Sequence, residues 1–146
     1  HALDWISHNE PNYSPYDLVL LQPTSPIRDA LSIDLAVDKY ISEDYDSLLS
    51  VCAFDHFLWE SAPNLRAKYD FTRRPRRQDL KPEQKLLVEN GSIYIFGSSG
   101  FIENKNRLFG EVGVFCMGDH ERYEIDSMND WVIVEALMKY KEMKIC

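Results

Sequence analysis

The chain has 146 residues, with 16 Lys+Arg against 24 Asp+Glu for a net charge of −8, and it is 45% hydrophobic and 12% aromatic. This composition excludes a disordered polymer, and the acidic balance excludes a general nucleic-acid surface, which needs excess Lys and Arg to neutralise phosphates. Apolar runs such as Leu18-Val19-Leu20-Leu21 fall far short of the ~18 residues of a membrane-spanning helix.

No basic start followed by an apolar stretch marks a secretory signal. Three unclustered cysteines, Cys52, Cys116 and Cys146, argue against a disulfide framework or a cysteine metal site. The expectation is a soluble protein of the reducing cytoplasm, one domain over residues 1–146, with roughly two-thirds of its unfolded surface buried.

Residues 1–9 read as the end of a helix, with Leu3 and Ile6 on one side and no starting methionine, which leads us to expect a fragment. A Pro/Asn/Ser-rich loop over 10–15 leads to a buried strand over 16–22. Pro23 and Pro26 then fix a tight turn around Thr24 and Ser25. The spacing of Leu31, Leu35, Val37, Tyr40 and Ile41 predicts a helix over 30–42 with acids outward. Residues 47–53 read as a second strand, and the basic, proline-containing stretch 63–84 as an extended loop or lid. A third strand is expected over 92–96, introduced by an Asn90-Gly91 turn. A fourth covers 112–117, with Cys116 in the core, and a short fifth covers 123–126. Ser127 caps a last helix over 128–144, with Asp130 three residues on in a variant of the capping box. Strands alternating with such helices predict an α/β layer fold with a largely parallel sheet.

Four groups of residues carry candidate chemistry. Gln22-Pro23-Thr24-Ser25-Pro26-Ile27-Arg28 follows the first strand, and ligands of open α/β sheets bind outside the carboxyl ends of strands. The Gln22 amide both donates and accepts, which suits a polyhydroxylated or amide-bearing ligand; a plain rigid turn explains the same residues. Arg73, Arg74, Arg76 and Arg77 place four guanidiniums in five positions, a fork geometry that suits carboxylate or phosphate and equally a solvated loop neutralised by the protein's own acid. Glu124 and Asp126, two apart on the expected fifth strand, would project together. Two such carboxylates suit Mg²⁺ with substrate phosphates; alternatively Asp126 complements the following helix. Asn90 and Tyr94, in Asn90-Gly91-Ser92-Ile93-Tyr94, offer hydrogen-bonding groups or form a turn into a half-buried strand. No hydrolase triad, Walker-type phosphate loop or glycine-rich dinucleotide fingerprint is found.

Taken in order, these stretches resemble the acylneuraminate cytidylyltransferase (CMP-sialic acid synthetase) family over nearly the whole chain. The matching segments are Gln-Pro-Thr-Ser-Pro-Ile-Arg, Arg-Arg-Gln-Asp-Leu, Glu-Asn-Gly-Ser-Ile-Tyr-Ile-Phe, and Glu-Ile-Asp-Ser with a closing Trp-containing helix. The resemblance implies part of a Rossmann-like nucleotidyltransferase sheet with a dimerisation insertion, roughly residues 54–110, in a cytoplasmic homodimer. It implies a transferase joining CTP to a nine-carbon (nonulosonic) sugar acid, with Mg²⁺, to give a CMP-sugar and pyrophosphate. The sugar hydroxyl attacks the α-phosphorus in line. Carried over, Glu124 and Asp126 are metal carboxylates, with Asp126 and Arg77 catalytic. Gln22, Asn90 and Tyr94 contact the sugar acid, and Arg77 lies beside its carboxylate or the transferring phosphate. Leu108 and Phe109 line the partner's sugar pocket.

The chain departs from the family pattern in lacking the upstream glycine-rich phosphate loop, so the chain alone is expected to have little activity. Glu124 stands where the family often has Asp, Val88 where some relatives carry a basic residue, and Trp59 where some carry Lys. Sialic, legionaminic and pseudaminic acids all fit. The rival readings are activation of 3-deoxy-manno-octulosonate, and a non-catalytic sugar-binding or dimerisation fragment.

Overall fold

The computed structural model describes residues 2–81 and 85–145; His1, residues 82–84 of the basic stretch and Cys146 lie outside the described residues. The elements run α1 (Ala2–Asn9), β1 (Asp17–Leu20), α2 (Ala30–Ser42), β2 (Ser47–Phe54), β3 (Trp59–Glu60), β4 (Arg66–Ala67), β5 (Leu86–Gly97), α3 (Ser98–Asn104), β6 (Val112–Met117) and α4 (Met128–Ile145). The chain is thus mixed α/β, as expected.

Four strands form one sheet in the order β1-β5-β2-β6, while β3 and β4 pair as a small separate hairpin. β6 is parallel to β2, but β5 runs antiparallel to both β1 and β2. The expectation of a largely parallel sheet is therefore corrected: β1, β2 and β6 share a direction, yet β5 is wedged between β1 and β2 and makes two of the three pairings antiparallel. Within residues 54–110, β5 belongs to this sheet and the β3–β4 hairpin does not.

Side chains alternate across the sheet and fill two layers. Leu48, Cys52, Ile93 and Ile95 face α2, where Ala36 and Tyr40 complete the cluster. Leu49, Val51, Tyr94 and Phe96 face the other way, against Phe101 of α3 and against Leu108 and Phe109. Both faces of β2 and β5 are covered, which is why their sequences read as continuous apolar runs.

α2 begins as predicted, because the Asp29 carboxylate accepts a hydrogen bond from the Ser32 N–H at 2.8 Å. Its apolar face is narrower than predicted: Leu31, Leu35 and Ile41 are exposed. α4 is held at its start by Ser127, whose Oγ donates to Asp130 Oδ2 at 2.6 Å and accepts from the Asp130 N–H at 3.4 Å. Along it Val134 is buried, while Trp131 and Met138 remain exposed.

Four further expectations are corrected. β1 is not a buried strand but an edge, with Val19 and Leu20 44% and 39% exposed. Asn90-Gly91 is not a turn before a strand; both residues lie inside the 12-residue β5. The register against β2 jumps there, from Leu49↔Tyr94 to Val51↔Glu89, and the extra residues on β5 are taken up as a bulge. Residues 123–126 form no strand, since Ile125 N–H bonds across to Thr24 C=O at 2.8 Å instead of joining a ladder. Cys116 is exposed rather than in the core, because β6 is the other edge of the sheet.

Candidate functional site

The turn after β1 is built around Arg28. Its Nη1 donates to the carbonyl oxygens of Gln22 at 2.9 Å, Ser25 at 2.5 Å and Ser92 at 3.5 Å. One half-buried guanidinium thus ties the turn to β5, and burial lowers its pKa from the ordinary arginine value. The Ser25 N–H closes the turn on Gln22 C=O at 3.2 Å. With its backbone held this way, the Gln22 side chain lies over β5.

Gly91 is the point of convergence. It has φ +60°, and a Cβ placed there would lie 2.6 Å from Gln22 Oε1 and 2.7 Å from Glu124 Oε1. The missing side chain leaves room for the amide of one segment and the carboxylate of another to flank the same spot. The Ile125–Thr24 hydrogen bond locks the two segments together. Gln22 and the Glu124–Asp126 pair are therefore neighbours, although no strand presents the pair.

Electrostatics mark the same place. Burial, then the charges of Asp126 and Glu89, raise the Glu124 pKa above the ordinary carboxylate value, and Arg107 offsets part of this. Tyr94, 2% exposed, donates from its hydroxyl to Glu89 Oε2 at 3.2 Å, and the Arg107 guanidinium lies 3.9 Å from its ring centroid. Burial raises the Tyr94 pKa, with Arg107 opposing and Glu89 and Glu124 adding to the rise. Gln22, Glu89, Tyr94, Arg107, Glu124 and Asp126 thus form one cluster.

The remaining expected residues are placed differently. Asn90 is fully buried: its Oδ1 accepts from Ser50 Oγ at 2.6 Å, and its Nδ2 donates to Glu121 C=O at 3.0 Å and toward Met117 Sδ at 3.3 Å. It is spent inside the protein, bracing the bulge that exposes Gly91, rather than presented to a ligand. Leu108 and Phe109 are half-buried against the chain's own core. Arg77 stands exposed on a 3₁₀ turn, Arg77–Asp79, of the segment between β4 and β5.

Sequence reasoning missed Glu89 and Arg107 and had given Arg28 no role. Glu89 adjoins the Asn90-Gly91 pair that was singled out, and Arg107 adjoins Leu108, so proximity in sequence was the available signal.

Among the described residues no group of three His, Cys, Asp or Glu side chains is arranged to hold a metal ion. What Glu124 and Asp126 offer is a pair of hard oxygen donors whose mutual repulsion a cation relieves. Such a pair fits Mg²⁺, which takes one or two carboxylates and completes its shell with water and phosphate.

No family model matches the chain. The chain is similar to an N-acylneuraminate cytidylyltransferase of Streptococcus agalactiae, 27% identical over 136 residues that cover 90% of this chain and 32% of the relative. N-acylneuraminate cytidylyltransferase A of Danio rerio is 29% identical over 145 residues, covering 92% of this chain and 32% of the relative. Post-translational flagellin modification protein B of Campylobacter coli is 25% identical over 134 residues, covering 87% of this chain and 54% of the relative. The chain spans about a third of the length of the two cytidylyltransferases. With four ordered stretches in place and the likeness running through nearly all of it, the chain resembles the acylneuraminate cytidylyltransferases.

Proposed function

We propose that this chain supplies the sugar-acid and metal half of a cytidylyltransferase site, at which CTP and a sialic-acid-like nine-carbon sugar acid give a CMP-sugar and pyrophosphate. The observation that carries the reading is the meeting of Gln22 Oε1 and Glu124 Oε1 over Gly91. The activity named for the two cytidylyltransferase relatives favours an N-acylated nine-carbon sugar over 3-deoxy-manno-octulosonate.

In this reading Gln22 hydrogen-bonds hydroxyl or amide groups of the sugar, and the buried Tyr94 forms one wall. Glu124 and Asp126 would hold Mg²⁺, which would neutralise charge on the phosphates. The chain's own contribution is placement: the sugar hydroxyl is set in line with the α-phosphorus and the developing charge meets fixed partners. Asn90 acts through the bulge at Gly91 and not by touching the sugar. Arg77 would lie beside the sugar's carboxylate or the transferring phosphate, Leu108 and Phe109 would serve a neighbouring subunit's site in a homodimer, and the triphosphate cradle is assigned to polypeptide outside this chain. The protein would work in the cytoplasm, where CTP is made.

Pyrophosphate release from CTP, compared with N-acetylneuraminate and with 3-deoxy-manno-octulosonate as acceptor, tests the reading. A higher kcat/KM with the neuraminate is expected; release with neither, when a glycine-rich phosphate loop is supplied, would favour the binding-fragment alternative.

A further inference from the structure

We infer that Ser50 is a positioning residue for this site, its hydroxyl holding the β5 bulge so that Gly91 meets Gln22 and Glu124, a role that rests on the reading above. Ser50 sits at the irregular step of the β2–β5 ladder. Leu49 pairs with Tyr94 and Val51 with Glu89, so Ser50 alone on β2 faces residues 90–93. On its other side it pairs regularly with Phe115 of β6, which fixes its backbone independently of the bulge. Period-two alternation puts Ser50 on the face of Leu48 and Cys52, inside the layer that packs against α2. It is 1% exposed there. A hydroxyl in such a layer costs stability unless its bonds are made.

Both of its bonds go to the bulge. Ser50 Oγ donates to Asn90 Oδ1 at 2.6 Å and accepts from the Ile93 N–H at 2.8 Å. One hydroxyl thus grips the two ends of the extra stretch, with Gly91 between them at φ +60°. The first bond also orients the Asn90 amide. With Oδ1 turned to Ser50 and to the Ser92 N–H at 3.4 Å, Nδ2 faces Glu121 C=O at 3.0 Å. Glu121 belongs to the 3₁₀ turn Asp119–Arg122, and its Oε2 accepts from the Gly118 N–H at 2.8 Å. Glu124 follows that turn by two residues. Ser50 therefore holds both sides of the contact: the loop at Gly91 directly and, through Asn90, the segment that carries Glu124. Being buried, it acts only through these partners.

The test compares Ser50→Ala and the nearly isosteric Ser50→Cys with the wild type in the protein that carries this chain. Pyrophosphate release from CTP and N-acetylneuraminate is measured well below each melting temperature. The thiol keeps the packing but is a weak donor and acceptor, so it reads the two bonds even where the alanine variant does not fold. A purely structural role lowers the folded fraction, which lowers apparent kcat and leaves KM where it was. We expect instead that KM for the neuraminate rises about tenfold in each variant that folds. Added to Gly91→Ala, Ser50→Cys should raise that KM less than about threefold, because both changes act on one contact. An unchanged KM in the cysteine variant, or a rise that stays about tenfold on top of Gly91→Ala, overturns the proposal. A cysteine variant that does not fold overturns it as well, since Ser50 would then serve the fold as a whole. Wild-type protein that releases no pyrophosphate with the neuraminate overturns the underlying reading and this role with it, whereas wild-type turnover with an unmoved KM in the variants overturns the role alone.

Discussion

Gly91 shows how one residue without a side chain can define a site. Its φ of +60° strains any L residue, and a Cβ there meets Gln22 and Glu124 together. Gly91→Ala should destabilise the protein by about 1 kcal/mol or more and lower turnover at least tenfold, read from a melting curve and a pyrophosphate assay. Glu124 gives a pH signature. Its pKa is raised in the folded state, so its contribution to stability is full below the unfolded carboxylate pKa and is lost as pH rises through the raised value. Glu124→Gln removes that loss, and the melting-temperature advantage of the variant should grow between about pH 4 and pH 7; an equal difference at both pH values would contradict this. The meeting of Gln22 with the segment carrying Glu124 was legible in the sequence because an amide after a strand and paired acids before a helix are conspicuous. The internal role of Asn90 was not, because Asn-Gly reads as a turn unless the tertiary partners Ser50 and Glu121 are known.

Among the elements, α2, β2 and β6 were legible almost to the residue, since caps and apolar runs bound them. β5 was read too short because its bulge imitates a hairpin signal, and 123–126 was misread because two acids around Ile125 imitate strand alternation. Edge position was invisible as well: a run such as Leu18 to Leu21 has the same composition whether one neighbour pairs with it or two. The two described cysteines separate these cases experimentally. Cys52, on the inner strand β2, has its thiol pushed up to about 11, by burial and then by Glu121. Cys116, on the edge strand β6, is exposed. Under native conditions at neutral pH, peptide mapping after alkylation should find Cys116 modified and Cys52 protected until the protein unfolds; prompt labelling of Cys52 would mean that β2 is not the inner strand described here.

At the scale of the molecule, a sheet with β1 and β6 at its edges and two apolar layers brings three distant segments to one end of β1: the turn at Gln22, the bulge at Gly91 and the stretch before α4. Under the proposed function, a chain of net charge −8 would need local cations and a bound metal to handle anionic substrates, which is why the Glu124–Asp126 pair carries most of the proposal. No helix among the described residues is long and apolar enough to cross a membrane. The most direct test of the account is Mg²⁺-dependent pyrophosphate release from CTP and N-acetylneuraminate by Asp126→Asn in the protein that carries this chain, with thermal melting measured alongside. The account predicts that turnover is abolished while the melting temperature stays close to that of the wild type; turnover at the wild-type level would remove Asp126 from the metal site and contradict it.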